Sequence, residues 1–263
     1  MKHQVICSTC GTYYPADKVP EICPICMDDR QYIPPTGQSW TKEEMLLLRH
    51  SIKINKIQDR LYEMEVNPIF AIGQRALLVL SPEGNVLWDC IPLLDEATIE
   101  FIKSKGGLKA IAFSHPHYYS NMNDWAETFD CPVCIHENDA ENIQVKGEHI
   151  KLWKGDELAL WDGIKIMLIG GHFEGSSILH VPFLSKEGTI LCGDTLFLSP
   201  SKKHFSILRS YPNRIPLPLS EMKRLKERFD GIPFDSFFGY ISTQNLNENV
   251  KKVFAESMER YFA

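Results

Sequence analysis

The sequence has no long apolar run. No segment approaches the roughly 18 consecutive apolar residues expected of a membrane-spanning helix, and the opening MKHQVICSTCG lacks the apolar core of a secretory leader. Runs of lysine or arginine are missing too. With a net charge of −6 at neutral pH, neither a nucleic acid nor an anionic membrane is expected as a partner, since both usually need a basic face. There is no internal repeat and no low-complexity tract, which leaves an ordinary globular chain: 263 residues, 44% hydrophobic and 24% charged, enough for one large domain and a small appendage. The expected location is the cytoplasm. In that reducing compartment the eight cysteines read as metal ligands or buried thiols rather than disulfides.

Four of those cysteines stand as Cys7-x-x-Cys10 and Cys23-x-x-Cys26, twelve residues apart. Each Cys-x-x-Cys can form a tight knuckle that points two thiolates at one ion, and two knuckles supply the four sulfurs of a tetrahedral site. Gly11 suits the turn after the first pair. Zinc and iron both accept four thiolates. With no redox partner visible, structural zinc is expected here, with iron as the alternative.

Pro34-Pro35-Thr36-Gly37 reads as a linker. Thr41 precedes Glu44 by three positions, the pattern of a capping box, and apolar residues at Met45, Leu48, Ile52, Ile57 and Leu61 suggest one helix from Lys42 to about Tyr62. Beyond Ile69 short apolar strands alternate with helical stretches, which gives an α/β or α+β class with two sheets and helices outside. The expected layout is a knuckle over 1–35, a linker and helix over 36–66, and a main domain over 67–263.

Four stretches of the main domain carry chemistry: Ser114-His115-Pro116-His117-Tyr118-Tyr119-Ser120, Gly170-Gly171-His172-Phe173-Glu174-Gly175-Ser176, Cys192-Gly193-Asp194-Thr195 and Phe238-Gly239-Tyr240. Each lies where an apolar strand gives way to a loop, and such positions gather on one edge of a sheet. Two histidines two apart can reach one ion, and a third histidine and a carboxylate from separate loops complete the set.

From about residue 67 onward this order of motifs resembles the metallo-β-lactamase superfamily, and CSTCG…CPIC resembles the rubredoxin-like or zinc-ribbon knuckle appended to rubrerythrins. The first resemblance implies a four-layer αββα sandwich with metals along one edge. His115, His117 and His172 correspond to the histidines of its first metal, and Asp194 to its bridging carboxylate. Where that family has Asp, His and a late Gly-His, this chain has Tyr119, Ser120 and Gly239-Tyr240. All three departures fall on the second metal's ligands, and phenols and hydroxyls are poor ligands beside imidazoles. The expectation is a site for one ion, zinc or iron.

Three imidazoles with an open position suit zinc hydrolysis of an ester, thioester or lactone-type small molecule. Asp194 then orients the nucleophile or ligates the metal, and Tyr119 and Tyr240 donate to an oxyanion or simply fill the volume of the missing metal. Alternatively, His115, His172 and Asp194, with His117 nearby, form a two-histidine, one-carboxylate face for iron similar to that of the superfamily's sulfur dioxygenases, or the protein binds without turnover. The basic, proline-punctuated stretch 199–218, with Lys202, Lys203, His204, Arg209, Tyr211 and Arg214, reads as a carboxylate or phosphate handle or as a solvated loop. Cys131-x-x-Cys134, Cys90 and Cys192 read as buried thiols, and His180 as a core or interface histidine.

Overall fold

A computed structural model describes residues 4–263, so the first three residues of the expected knuckle lie outside it. The N-terminal part is a three-stranded antiparallel sheet: β1 (Gln4–Cys7) in the middle, flanked by β2 (Tyr13–Pro15) and β3 (Trp40–Lys42). One helical turn, α1 (Pro24–Met27), starts at the second cysteine pair, with proline at its first position where the missing N–H costs nothing. Because β3 pairs with β1, the knuckle reaches Lys42 rather than stopping at 35.

The single helix expected from Lys42 to Tyr62 is not formed. It is replaced by a short helix, α2 (Glu43–Arg49), and a hairpin of β4 (Ser51–Gln58) and β5 (Leu61–Asn67). Ser51-Ile52-Lys53-Ile54-Asn55-Lys56 alternates with period two and is rich in β-branched residues, which a pleated surface favours over a helix. Thr41 sits in β3, and no side chain caps α2. The first sheet therefore starts at residue 51, not 67.

That sheet continues through β6 (Arg75–Val79), β7 (Val86–Trp88), β8 (Ala110–Ala112), β9 (Val133–His136) and β10 (Ile150–Trp153), in the order β10-β9-β8-β7-β6-β5-β4. The crossovers include helices α3 (Glu96–Ser104) and α4 (Met122–Phe129). A second sheet, ordered β11-β12-β13-β14-β19-β20, uses β11 (Glu157–Ala159), β12 (Lys165–Leu168), β13 (Ser177–Val181) and β14 (Thr189–Cys192). Two small ribbons follow: β15 (Phe197–Leu198) with β16 (Phe205–Ser206), and β17 (Leu208–Ser210) with β18 (Ile215–Pro216). The chain ends with α5 (Leu219–Asp230), β19 (Ser236–Phe238), β20 (Asn245–Leu246) and α6 (Val250–Phe262). Asn245 and Leu246 pair with Phe238 and Phe237.

The layers follow from strand alternation. Leu77, Val79, Val86, Trp88 and Ala112 of the first sheet meet Ile166, Leu179, Val181 and Leu191 of the second in one buried cluster between the sheets. Their neighbours Ala76, Leu78, Leu87 and Ile111 face outward and are covered by Ile102 of α3 and Trp125 of α4. On the other outer face Ile178 and Ile190 are covered by Leu225 and Phe229 of α5 and Phe254 and Met258 of α6. The result is a four-layer αββα sandwich. Among the described residues no helix is long and apolar enough to cross a membrane.

Candidate metal centres

In the knuckle, Cys7, Cys10, Cys23 and Cys26 are all buried and their sulfurs converge. Cys7 Sγ lies 3.6 Å from Cys26 Sγ, and Cys10 Sγ 3.6 Å from Cys23 Sγ, close to the edge of a tetrahedron with metal–sulfur bonds of about 2.3 Å. The turn after the first pair is closed by Gly11 N donating to Cys7 O at 2.9 Å, with Gly11 at φ +80° packed against Pro92. A side chain there would be strained and would meet the proline. Gln38 Nε2 donates to Cys7 Sγ at 3.2 Å, and the Thr12 and Tyr14 hydroxyls lie 3.2 and 3.3 Å from Cys10 Sγ and Cys23 Sγ. Such donors stabilise thiolates.

The second cluster joins the two sheets. His115 follows β8, and Pro116 opens a single 3-10 turn that brings His117 back to the same side. His172 is carried on the loop between β12 and β13, and Asp194 lies two residues beyond β14. Asp194 Oδ2 lies 3.6 Å from His115 Nε2, 3.9 Å from His117 Nδ1 and 3.7 Å from His172 Nε2, and the last two nitrogens are 3.4 Å apart. The chain can come this close only because residue 193 is glycine: a Cβ there would sit 2.2 Å from Ser114 Oγ.

The outer ring nitrogens set the tautomers. His115 Nδ1 is 2.9 Å from Ser114 Oγ, which donates to Asp89. His172 Nδ1 faces Leu208 O at 3.4 Å. Both arrangements leave the inner Nε2 with a lone pair, as metal-ligating histidines require. Burial lowers the His115 pKa to about 4 and holds His172 well below its ordinary value, so both rings are neutral at pH 7. His115 Nε2 is buried without a hydrogen-bond partner while facing the other donor atoms. Three imidazoles and a carboxylate, with an unpartnered ring nitrogen among them, fit a divalent ion.

No protein-family model matches the chain. The uncharacterized protein YmaE of Bacillus subtilis (strain 168) is 38% identical over 255 residues, spanning 94% of this chain and 93% of YmaE. The chain belongs to the YmaE family. Its fold is that of the metallo-β-lactamases. The DIM-1 metallo-β-lactamase matches 80% of the chain and 98% of its own at TM-score 0.58 and 14% identity. The enzyme from Pontibacter korlensis matches 80% and 99% at TM-score 0.56 and 14% identity. FIM-1 from Pseudomonas aeruginosa, solved in a mono-zinc form, matches 80% and 96% at TM-score 0.57 and 14% identity.

In this YmaE-family chain the cluster opens onto a cavity of about 350 Å³, lined by Tyr118, Asp194, Phe197 and Tyr240 together with Gln31, Tyr32, Tyr211 and Arg214. Tyr240 is therefore at the site, and Tyr119 is not. Tyr119 packs edge-on against Phe113 at 5.1 Å and lines a separate crevice with Thr12, Tyr13 and Ile25. The reason is the 3-10 turn, in which residues three apart eclipse. It is Tyr118 that packs edge-on against His115, with ring centroids 4.3 Å apart, and its hydroxyl donates to Asp194 Oδ1 at 2.6 Å. Sequence reasoning passed over Tyr118 because it is Tyr119 that stands where the resembling family has its aspartate. Burial and Asp194 keep its pKa well above 10, and the same causes push Tyr240 up to about 12, so both phenols are protonated donors at neutral pH.

The stretch 199–218 is divided in its roles. Tyr211 and Arg214 face the cavity, Arg209 pairs with Asp29 at 3.0 Å, and Lys202 donates to Asn245 O at 2.7 Å. Cys90, Cys131, Cys134 and Cys192 are free, buried thiols, with Cys131 and Cys134 raised to about 12 and about 11 by burial. His180 Nε2 lies 2.8 Å from Pro233 O in the core.

Proposed function

We propose that the protein is a metal-dependent hydrolase that works with one zinc ion at His115, His117, His172 and Asp194 and cleaves a small ester, thioester or lactone bearing an anionic group. The observation that carries this reading is the division of the Asp194 carboxylate. Oδ2 faces the three imidazoles, while Oδ1 accepts the Tyr118 hydroxyl at 2.6 Å, so the oxygen that a bridging carboxylate turns to a second ion is already engaged.

An ion at these donors would supply Lewis acidity and an activated water. The chain supplies the rest. Tyr118 holds Asp194 in register with the histidines. Tyr240, protonated and half-buried, lines the cavity and is the candidate donor to charge developing on a substrate carbonyl oxygen. Ile72, Phe197 and Pro212 give the cavity apolar walls that exclude water. Arg214 at its rim is exposed and has no ion-pair partner among the described residues, which suits a substrate carboxylate. The knuckle holds a structural zinc ion, and the protein works on a cytoplasmic small molecule without nucleic acid or membrane.

The test uses purified chain with its ions removed and zinc restored, assayed on activated esters, thioesters and lactones. Turnover is expected, with a rate that rises through about pH 7. His172→Ala should lower it roughly 10³-fold or more, since the several kcal/mol a metal contributes is lost. Zinc-loaded protein that is inert while iron-loaded protein consumes oxygen with a thiol or persulfide would favour the dioxygenase reading and overturn this one. A second ion at full occupancy beside Asp194 would overturn the single-ion part.

A further inference from the structure

The segment leaving the knuckle, Asp28 to Gln31, is built into the second centre. The Arg30 side chain is 11% exposed. Its Nη1 is gripped by both oxygens of Asp28, at 2.8 and 2.6 Å, which fixes the guanidinium plane and leaves Nε to donate to His172 O at 2.6 Å. The same guanidinium lies 4.0 Å over the Phe173 ring. Phe173 in turn lies 5.8, 5.0 and 5.1 Å from the rings of His115, His117 and His172. One side chain thus holds both the backbone of a ligand and the ring packed against all three histidines.

His172 is also oriented from its other side, where its Nδ1 meets Leu208 O in β17. That ribbon is stitched to the same segment. Ser210 Oγ donates to Arg30 O at 3.0 Å, Arg209 pairs with Asp29, and Asn213 Nδ2 donates to Asp29 O and Gln31 O at 2.9 and 2.7 Å. Asp28 itself follows α1 directly, two residues after Cys26, and Met27 N is held by Cys23 O at 3.1 Å. The place of Arg30 is therefore set by the second cysteine pair.

We propose that Arg30 is a positioning residue for His172, through which the four-cysteine knuckle sets how tightly the histidine centre holds its ion. The proposal rests on the reading of His115, His117, His172 and Asp194 as a metal centre. Asp28 and Asp29 offset the cationic charge of Arg30 near that centre, so its main effect is geometric. Groups that orient a metal-ligating histidine are worth about 10–100-fold in metal affinity.

Cobalt separates the two centres, because only thiolate ligation gives sulfur-to-cobalt charge transfer in the near ultraviolet. Full-length chain is loaded with Co²⁺, and the histidine centre is titrated with a competing chelator through its visible bands. Arg30→Leu is expected to keep the full sulfur band and to weaken the histidine centre about tenfold or more. Arg30→Lys, which can still donate one hydrogen bond to His172 O, is expected to recover part of that loss. Cys23→Ser is expected to lose the sulfur band and to weaken the histidine centre by a similar factor while far-ultraviolet circular dichroism shows the two sheets intact. Unchanged chelator competition in Arg30→Leu or in Cys23→Ser overturns the proposal. Wild-type chain that takes cobalt only at sulfur overturns the metal reading itself and the proposal with it.

Discussion

The four thiols of the knuckle come from one short stretch, Cys7 to Cys26, and all are buried. The histidines and aspartate of the second cluster come from three separate loops between His115 and Asp194, and the Asp194 side chain remains 13% exposed toward a cavity. The first centre is closed and local, and its ligands hold a small sheet that has little other core. The second is assembled by a sandwich that has its own apolar core between the sheets, Leu77, Trp88, Leu179 and Leu191 among it. Removing an ion should therefore cost structure at the first centre and chemistry at the second.

The largest expected effect breaks this contrast at the knuckle. Because the binding energy of a thiolate site is largely folding energy, Cys23→Ser should lose hydrogen-exchange protection across Gln4–Lys42 while β5–β8 and β12–β14 stay protected. Removing the ion of the histidine centre by chelation should leave both regions protected. Equal loss of protection in both would show that the knuckle and sandwich are not separable in this way.

A smaller effect concerns the loop that carries His172. Asp139 accepts Gly175 N at 2.8 Å on that loop, and burial raises its pKa to about 7. The folded protein then binds a proton between about pH 4 and 7 that the unfolded chain does not, so stability contributed by this group is full below about pH 4 and is lost as pH rises through about 7. Asp139→Asn keeps an acceptor oxygen and should remove that loss, stabilising the protein at pH 8 by up to a few kcal/mol and by little at pH 4. Denaturant titrations at the two pH values test this, and equal differences at both would refute it.

The smallest is at Tyr118. A hydrogen bond to a charged group is worth about 1.5–3 kcal/mol, so Tyr118→Phe should lower kcat/KM for whichever ester or thioester is turned over by roughly 10–100-fold while leaving the sulfur centre untouched. Metal analysis of the same variant sharpens the point: freeing Asp194 Oδ1 should raise second-ion uptake at high zinc, and unchanged uptake would count against the single-ion explanation.

The same contrast explains what could be read from the chain. Cys7-x-x-Cys10 and Cys23-x-x-Cys26 declare their cluster by spacing alone. His115, His117, His172 and Asp194 could be nominated from strand-end placement and from resemblance. Their convergence at 3.4–3.9 Å needs two sheets docked face to face, with glycine at 193 to let them close. Lys42 to Tyr62 was misread because Met45, Leu48 and Ile52 satisfy a helical period, while the alternation from Ser51 to Lys56 that decides the matter begins within the same window. Tyr119 reads as the site residue because a motif gives order along the chain and not the direction in which a 3-10 turn points its third residue, Tyr118. Arg30 gave no signal at all: its partner is 142 positions away, and a lone arginine in a turn has no distinguishing pattern.

Gln31 and Tyr32 help to line the cavity, and this has a consequence for biosynthesis. Chains fold broadly from the N-terminus as they are made, so the knuckle can take its ion early. The surfaces it rests on, the loop at His172 and the ribbon at Ser210, emerge some 140 to 180 residues later. The part made first is thus the last to be fitted. A chain starting after Lys42 would keep the residues of both sheets and all four ligands of the histidine centre, yet its cavity would lack Gln31 and Tyr32 in its lining.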